Sequence, residues 1–113
     1  MHEVGMMQSI LNTAVERAKQ EGAHHIDEVH MRVGVAAGVV PDTLELAFDV
    51  VKRGTIAADA RLDTELVPVI CYCANCTLEF QPTDLLYECP ECHQANCEVR
   101  QGQEFELAFL DVS

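Results

Sequence analysis

Between Val4 and Glu21 the apolar residues Val4, Met7, Leu11, Ala14, Val15 and Ala18 recur at steps of three and four. Gln8, Asn12, Glu16 and Lys19 fall between them. That spacing collects the apolar side chains on one face of an α-helix. Glu3 near its start and Arg17 and Lys19 near its end oppose the partial charges of the helix termini, and Gly22 is placed to stop the helix in a left-handed turn. The period then changes. Over residues 26–35, Val29, Met31, Val33 and Val35 alternate with Glu28, His30 and Arg32, which predicts a strand with one apolar and one wet face. Pro41 suits the first turn of a second helix whose buried stripe is Leu44, Ala47, Phe48 and Val51, closed by Lys52, Arg53 and Gly54.

Residues 61–69 alternate again, with Leu62 and Leu66 opposite Arg61, Asp63 and Glu65. Pro68, which has no N–H to donate, takes this strand out of the ladder. From Glu104 to Val112 a last alternating run puts Phe105, Leu107 and Phe109 on one face against Glu104 and Glu106. Its pattern fits a strand returning to the first domain, so the cysteine-rich region ahead of it is an insertion. The expected architecture is α+β. Two helices cover one face of a three-stranded sheet built from residues 1–70 and 98–113, and a zinc-ribbon-like module is inserted at 71–97. Periodicity leaves the strand order open.

Composition narrows the class. A chain of 113 residues with 49% hydrophobic content supports one modest core and at most a small second module, and with 5% aromatic residues and no Trp that core is aliphatic. Seven basic against nineteen acidic residues give a formal charge of −12. This repels phosphate backbones and argues against nucleic acid as a partner, while metal cations and basic protein surfaces are favoured. Solubility alone would also account for an acidic surface. No run approaches the ~18–20 apolar residues of a membrane span. The start Met1-His2-Glu3 lacks a positive n-region and an apolar h-region, so a cytoplasmic protein without membrane attachment is expected. In that compartment six cysteines read as metal ligands rather than disulfides.

Cys73-Ala-Asn-Cys76 and Cys89-Pro-Glu-Cys92 are two Cys-x2-Cys units separated by twelve residues, close to the spacing of a zinc ribbon. Four thiolates satisfy a tetrahedral structural Zn(II) and leave no open position for catalysis. Iron in a rubredoxin-like site and a redox-active CxxC are the alternatives. Thioredoxin-like motifs, however, open a helix, whereas these pairs lie between a strand and a Pro-containing turn. Cys71 is close enough to Cys73 to compete for a metal. Cys71 and Cys97 nevertheless read better as small buried hydrophobes. His93 could replace a thiolate only if the site rearranged, and reads as an exposed loop residue.

His2 directly follows Met1. Its imidazole, the α-amine and the intervening amide nitrogen can form fused chelate rings around one ion, a planar nitrogen set suited to Ni(II) or Cu(II). Met1 is expected to be retained, because methionine aminopeptidase acts best before small residues. Taken alone, a histidine at position 2 is more often just an exposed terminal side chain. His24, His25 and His30 read as solvated polar residues.

Met1-His2-Glu3, the segment from Val33-Gly34 through Gly38-Val39-Val40-Pro41, Phe48 with Gly54-Thr55-Ile56-Ala57, and the two CxxC units together resemble the HypA/HybF family of hydrogenase and urease nickel-incorporation proteins. The resemblance covers essentially the whole chain. It implies a nickel-binding domain of two helices on a mixed three-stranded sheet, with a zinc domain inserted before the last strand. It also implies that His2 ligates Ni(II) with the Met1 amine and nearby backbone nitrogens, that Glu3 supports that site, and that Cys73, Cys76, Cys89 and Cys92 hold Zn(II). The chain departs from the common family pattern at Gly5, where Ser is frequent, at Val35, where an acidic residue is frequent, and at His93, where Gly is frequent. Cys71 makes a Cys-x-Cys-x2-Cys cluster similar to that of an enterobacterial branch.

The function implied is a nickel metallochaperone, not an enzyme. Its cargo is Ni(II), its partners are a HypB-type GTPase and the large subunit of [NiFe] hydrogenase, and a urease accessory protein and a homodimer remain open. The rival from a different class is a zinc-ribbon adapter for protein recognition that carries no nickel. A thiol oxidoreductase using one CxxC pair is the enzyme alternative.

Overall fold

The structure, a computed structural model, describes residues 2–113. The Met1 amine expected in the terminal site lies outside the described residues. The first helix, α1, spans His2–Gln20 and buries Met7, Leu11, Ala14 and Ala18. It ends where the sequence placed its stop. Gly22 takes φ 73°, and two bonds, from Gly22 N–H to the Lys19 carbonyl (3.0 Å) and from Ala23 N–H to the Ala18 carbonyl (3.0 Å), satisfy carbonyls that the helix would leave unpaired.

β1 (Ile26–Gly34) sends Ile26, Val29, Met31 and Val33 into the core. α2 (Pro41–Val51) starts on Pro41, after an extended Val40, and buries Leu44, Ala47, Phe48 and Val51, the stripe its periodicity predicts. β2 (Arg61–Val67) pairs parallel to β1, and β6 (Phe105–Val112) pairs antiparallel to it. The sheet is therefore mixed, in the order β2-β1-β6. Parallel pairing of β1 with β2 requires a crossover, and α2 supplies it. Both helices and the inward residues of β1 form one apolar cluster on one face of this sheet, with Phe105, Leu107 and Leu110 of β6 packed against it.

Three side chains expected in the core lie elsewhere. Val35 falls just past the end of β1, in a turn, and is exposed. Leu66 stays half exposed because β2 is an edge strand. Phe109 is the informative case. Met31 is opposite Leu107 and His30 opposite Phe109, which leaves Ala108 as an extra residue in β6. A one-residue bulge reverses the faces beyond it. Leu110 therefore turns inward while Phe109 joins the wet face.

A second, antiparallel sheet has the order β4-β3-β5, built from β3 (Ile70–Cys73), β4 (Leu78–Phe80) and β5 (Glu98–Gln101). It has its own cluster of Cys71, Cys73, Cys89 and Cys97, flanked by Val69, Leu78, Phe80, Tyr87 and Val99. Ile70 and Glu98–Gln101 thus pair within this sheet, on the outer sides of positions 71 and 97. Among the described residues no helix is long and apolar enough to cross a membrane.

Candidate metal centre

The first CxxC turn joins β3 to β4, with Cys73 as the last residue of β3 and Thr77 in the left-handed region (φ 48°) just after Cys76. The second lies in the long loop between β4 and β5. There the Cys89 N–H donates to the Gln94 carbonyl (2.9 Å) and the His93 N–H to the Cys89 carbonyl (2.9 Å). These bonds curl Cys89-Pro-Glu-Cys92 back toward the first turn. Left-handed φ at Tyr87, His93 and Asn96 (52°, 63° and 55°) lets the loop double back without further regular structure.

The Sγ atoms of Cys73, Cys76, Cys89 and Cys92 all lie within 4.8 Å of one another. Cys73 and Cys92 are 3.5 Å apart, and Cys76 and Cys89 are 3.9 Å apart. A tetrahedral ion with metal–sulfur bonds of about 2.3 Å holds its sulfurs about 3.8 Å apart. The donor set and its spacing therefore fit one Zn(II). The separations are much too long for a disulfide, whose S–S bond is about 2.05 Å, and neither CxxC opens a helix.

Electrostatics favour the same occupant. N–H hydrogen bonds from the backbone at Cys76, together with hydrogen bonds from neighbouring thiols, bring the Cys73 thiol down to about 7. Hydrogen bonding to Cys92, burial and the other sulfurs push Cys76 up to about 12. The cage can hold negative charge at Cys73, but adding a second thiolate at Cys76 is opposed unless a cation sits among them. The Glu91 N–H donates to the Cys89 sulfur at 3.4 Å.

The remaining thiols behave differently. Burial raises both the Cys71 and the Cys97 pKa, and Cys97 donates its S–H to the Gln94 carbonyl at 3.3 Å. Neither belongs to the four-sulfur group, and both pack in the small core. His93 is exposed and bonds Glu88 through Nδ1 at 2.8 Å. The main-chain N–H groups of His24 and His25 both bond the Ser113 carbonyl, and their side chains are exposed.

His2 is the first residue of α1 and is exposed, with Glu3 half-buried beside it. Amides in the first turn of a helix have no preceding carbonyl to bond. The backbone nitrogens of residues 2 and 3 are therefore not committed to the helix ladder. Glu3 borders a shallow apolar groove formed with Val4, Thr43, Leu46, Ala47 and Val50 between the two helices.

One constellation has no counterpart in the sequence reading. His30 is not a solvated polar residue. Its side chain is 14% exposed, stacked on Phe109, and bonded to Asp63 and Asp111 from both neighbouring strands. The alternation placed His30 on the wet face with Glu28, but its partners depend on strand order and on the Ala108 bulge.

Residues 1–112 match the family described as "Hydrogenase/urease nickel incorporation, metallochaperone, hypA". The hydrogenase maturation factor HypA of Picosynechococcus sp. is 44% identical over 112 residues, covering 99% of this chain and 99% of the relative. A solution structure of a HypA protein superposes with a TM-score of 0.76 at 29% identity, covering 100% of this chain and 97% of that one. A solution structure of the Ni metallochaperone HypA from Helicobacter pylori superposes with a TM-score of 0.71 at 28% identity, covering 97% and 96% of the two chains.

Proposed function

From the premise that the chain belongs to the HypA family of hydrogenase and urease nickel-incorporation metallochaperones, we propose that it captures Ni(II) at its own N-terminus and delivers it to apo [NiFe] hydrogenase. The ligands proposed are the His2 imidazole, the Met1 amine and nearby backbone nitrogens, with Glu3 supporting the site. The observation that carries this reading is the position of His2 at the exposed first turn of α1. There, amide nitrogens are free of intrahelical bonds. A planar nitrogen set suits Ni(II), and an open terminus can accept and release an ion without breaking into a core. Protonation of the imidazole or the amine competes with the metal, so capture weakens as pH falls.

The four-cysteine group has the complementary role. Cys73, Cys76, Cys89 and Cys92 would hold Zn(II) as a structural ion. Four thiolates leave it no open position, so it supplies folding rather than chemistry or a cargo site. The molecule is thereby divided into a nickel-binding unit, residues 1–70 and 98–113, and a zinc unit, 71–97. The pairing of β3, from Ile70, with β5 (Glu98–Gln101) carries the zinc unit's sheet slightly beyond those limits. The protein works in the cytoplasm as a carrier and not as an enzyme. It receives nickel from a HypB-type GTPase and hands it to the hydrogenase large subunit.

The test is isothermal titration of zinc-loaded protein bearing its native N-terminus with Ni(II), beside His2→Ala. Wild type is expected to bind one equivalent, and the variant to lose it while retaining zinc. Equal binding by both, or by neither, rejects the terminal site and leaves a zinc-ribbon adapter as the better description.

A further inference from the structure

On the sheet face opposite the helices, β1, β2 and β6 bring three carboxylates around one imidazole. Asp63 Oδ2 lies 2.9 Å from His30 Nδ1. At the other ring nitrogen, Asp111 Oδ2 lies 2.8 Å and Glu28 Oε1 3.3 Å from Nε2. We infer that Glu28, His30 and Asp111 form a second metal site, one that takes a hard or borderline divalent cation on one imidazole nitrogen and two carboxylate oxygens, with Asp63 as the positioning residue.

Tautomer and spacing carry the argument. An ionised Asp63 can only accept, so Nδ1 must donate to it and the lone pair of a neutral ring is left on Nε2. That lone pair faces two further acceptors and no donor. Burial lowers the His30 pKa, but the hydrogen bonds to Asp111 and Asp63 and the charge of Glu28 raise it above the ordinary value, so in the metal-free protein a proton on Nε2 meets Asp111 and a cation must take its place. A carboxylate that fixes a histidine through its far nitrogen is the arrangement that orients imidazole toward a metal and raises its basicity. The spacing agrees. Ligands held about 2.1 Å from one ion at right angles are about 3 Å apart, and the two nitrogen–oxygen separations of 2.8 and 3.3 Å bracket that value.

The surroundings favour a cation held in one place. Phe109 stacks on the ring at 3.9 Å between centroids and 14° between planes, which fixes its orientation. Arg61 approaches the far Glu28 oxygen at 3.6 Å from an exposed position, and leaves Oε1 free to ligate. One imidazole and two carboxylates leave the remaining positions to water. That set suits Mn(II), Co(II) or Zn(II) and contrasts with the all-sulfur cage and with the all-nitrogen terminus. The site exists only because Ala108 bulges out of β6 and brings Phe109 to the wet face beside His30.

Mn(II) is the probe, because thiolate cages and planar amide sites bind it poorly. Zinc-loaded full-length protein is titrated with Mn(II) and followed by paramagnetic broadening of histidine ring and amide NMR signals, with free Mn(II) counted by EPR. One equivalent is expected to broaden His30, Glu28 and Asp111 first. Asp111→Asn should abolish this effect, Asp63→Asn should weaken binding about 10- to 100-fold, and His2→Ala should leave it unchanged. Asp59→Asn, an exposed charge-matched control, should also bind normally. Asp111→Asn replaces an exposed side chain with its isostere, and Glu28→Gln serves as the second variant should Asp111→Asn fail to fold. Broadening that centres on other carboxylates, or that persists in Asp111→Asn and Glu28→Gln alike, overturns the site and leaves His30 as a proton-bridged ion pair.

Discussion

Gly34 and Gly102 meet backbone to backbone, so closely that a methyl group on Gly34 would overlap the Gly102 carbonyl. The same carbonyl accepts the Ala36 N–H at 2.7 Å, and the Gly34 N–H donates to the Glu104 carbonyl at 2.7 Å. Gly102 itself takes φ 112° and lies against the Val69 backbone. The end of β1 and the return from β5 to β6 are thereby joined where the two sheets meet. Two residues without side chains make that contact possible.

Gly34→Ala is therefore expected to destabilise the protein. The obstacle is main chain, which cannot swing aside as a flexible side chain would, so the cost falls in the overpacking range of about 1–3 kcal/mol. Gly5 makes a control of opposite sign, because it sits at an exposed position of α1 with open space where a Cβ would go. Gly5→Ala should stabilise by about 0.5–1 kcal/mol through helix propensity. Urea midpoints of the two variants against wild type check both signs. An unchanged midpoint for Gly34→Ala would mean that the junction gives way at little cost.

The same junction should loosen in acid. Glu104 is held below the ordinary carboxylate range by N–H hydrogen bonds from its own backbone and from Gly102, with Arg32 adding a favourable charge; the Gly102 bond is 2.8 Å long. A depressed folded-state pKa contributes stability that is present above the unfolded value and is lost as pH falls through the folded one. Wild type should therefore exceed Glu104→Gln in urea midpoint at neutral pH, and the gap should close below about pH 4. A gap that stays constant through the acid limb would assign the variant's effect to packing instead of charge.

Most of the fold could be read from residue order, because each signal was local. The period of α1, its Gly22 stop, Pro41 opening α2 and the alternation of β1 depend on neighbours a few residues away. The meeting of Cys73 and Cys76 with Cys89 and Cys92 was readable for a related reason, since each pair is short and pre-folded and only one long-range step unites them. The failures were non-local. Alternation in β6 cannot reveal that Ala108 is skipped, because the bulge is defined by the facing residues of β1. His30 looked like a solvated residue because Asp63 and Asp111 are 33 and 81 positions away.

Metal removal should separate the two sheets' stabilities. The small core has only four buried side chains, all cysteines, two of which belong to the four-sulfur group. Apolar burial of that size cannot order three short strands and a long loop. A structural zinc site contributes about 10–16 kcal/mol in small peptides near neutral pH. Both tyrosines of the chain report on this part alone, Tyr72 beneath the Arg100 guanidinium at 3.9 Å and Tyr87 against the cysteine cluster. The helices lie wholly in the other part. A strong zinc chelator should therefore abolish the tyrosine near-ultraviolet circular dichroism while leaving most of the helical signal. Cys73→Ser should do the same without chelator, whereas Cys71→Ala, which removes a buried thiol outside the four-sulfur group, should still purify with one equivalent of zinc. Loss of zinc from Cys71→Ala would bring that thiol into the metal's ligand set. Tyrosine signals that survive complete chelation would mean instead that packing alone orders the small sheet, and the metal only occupies a cage already built.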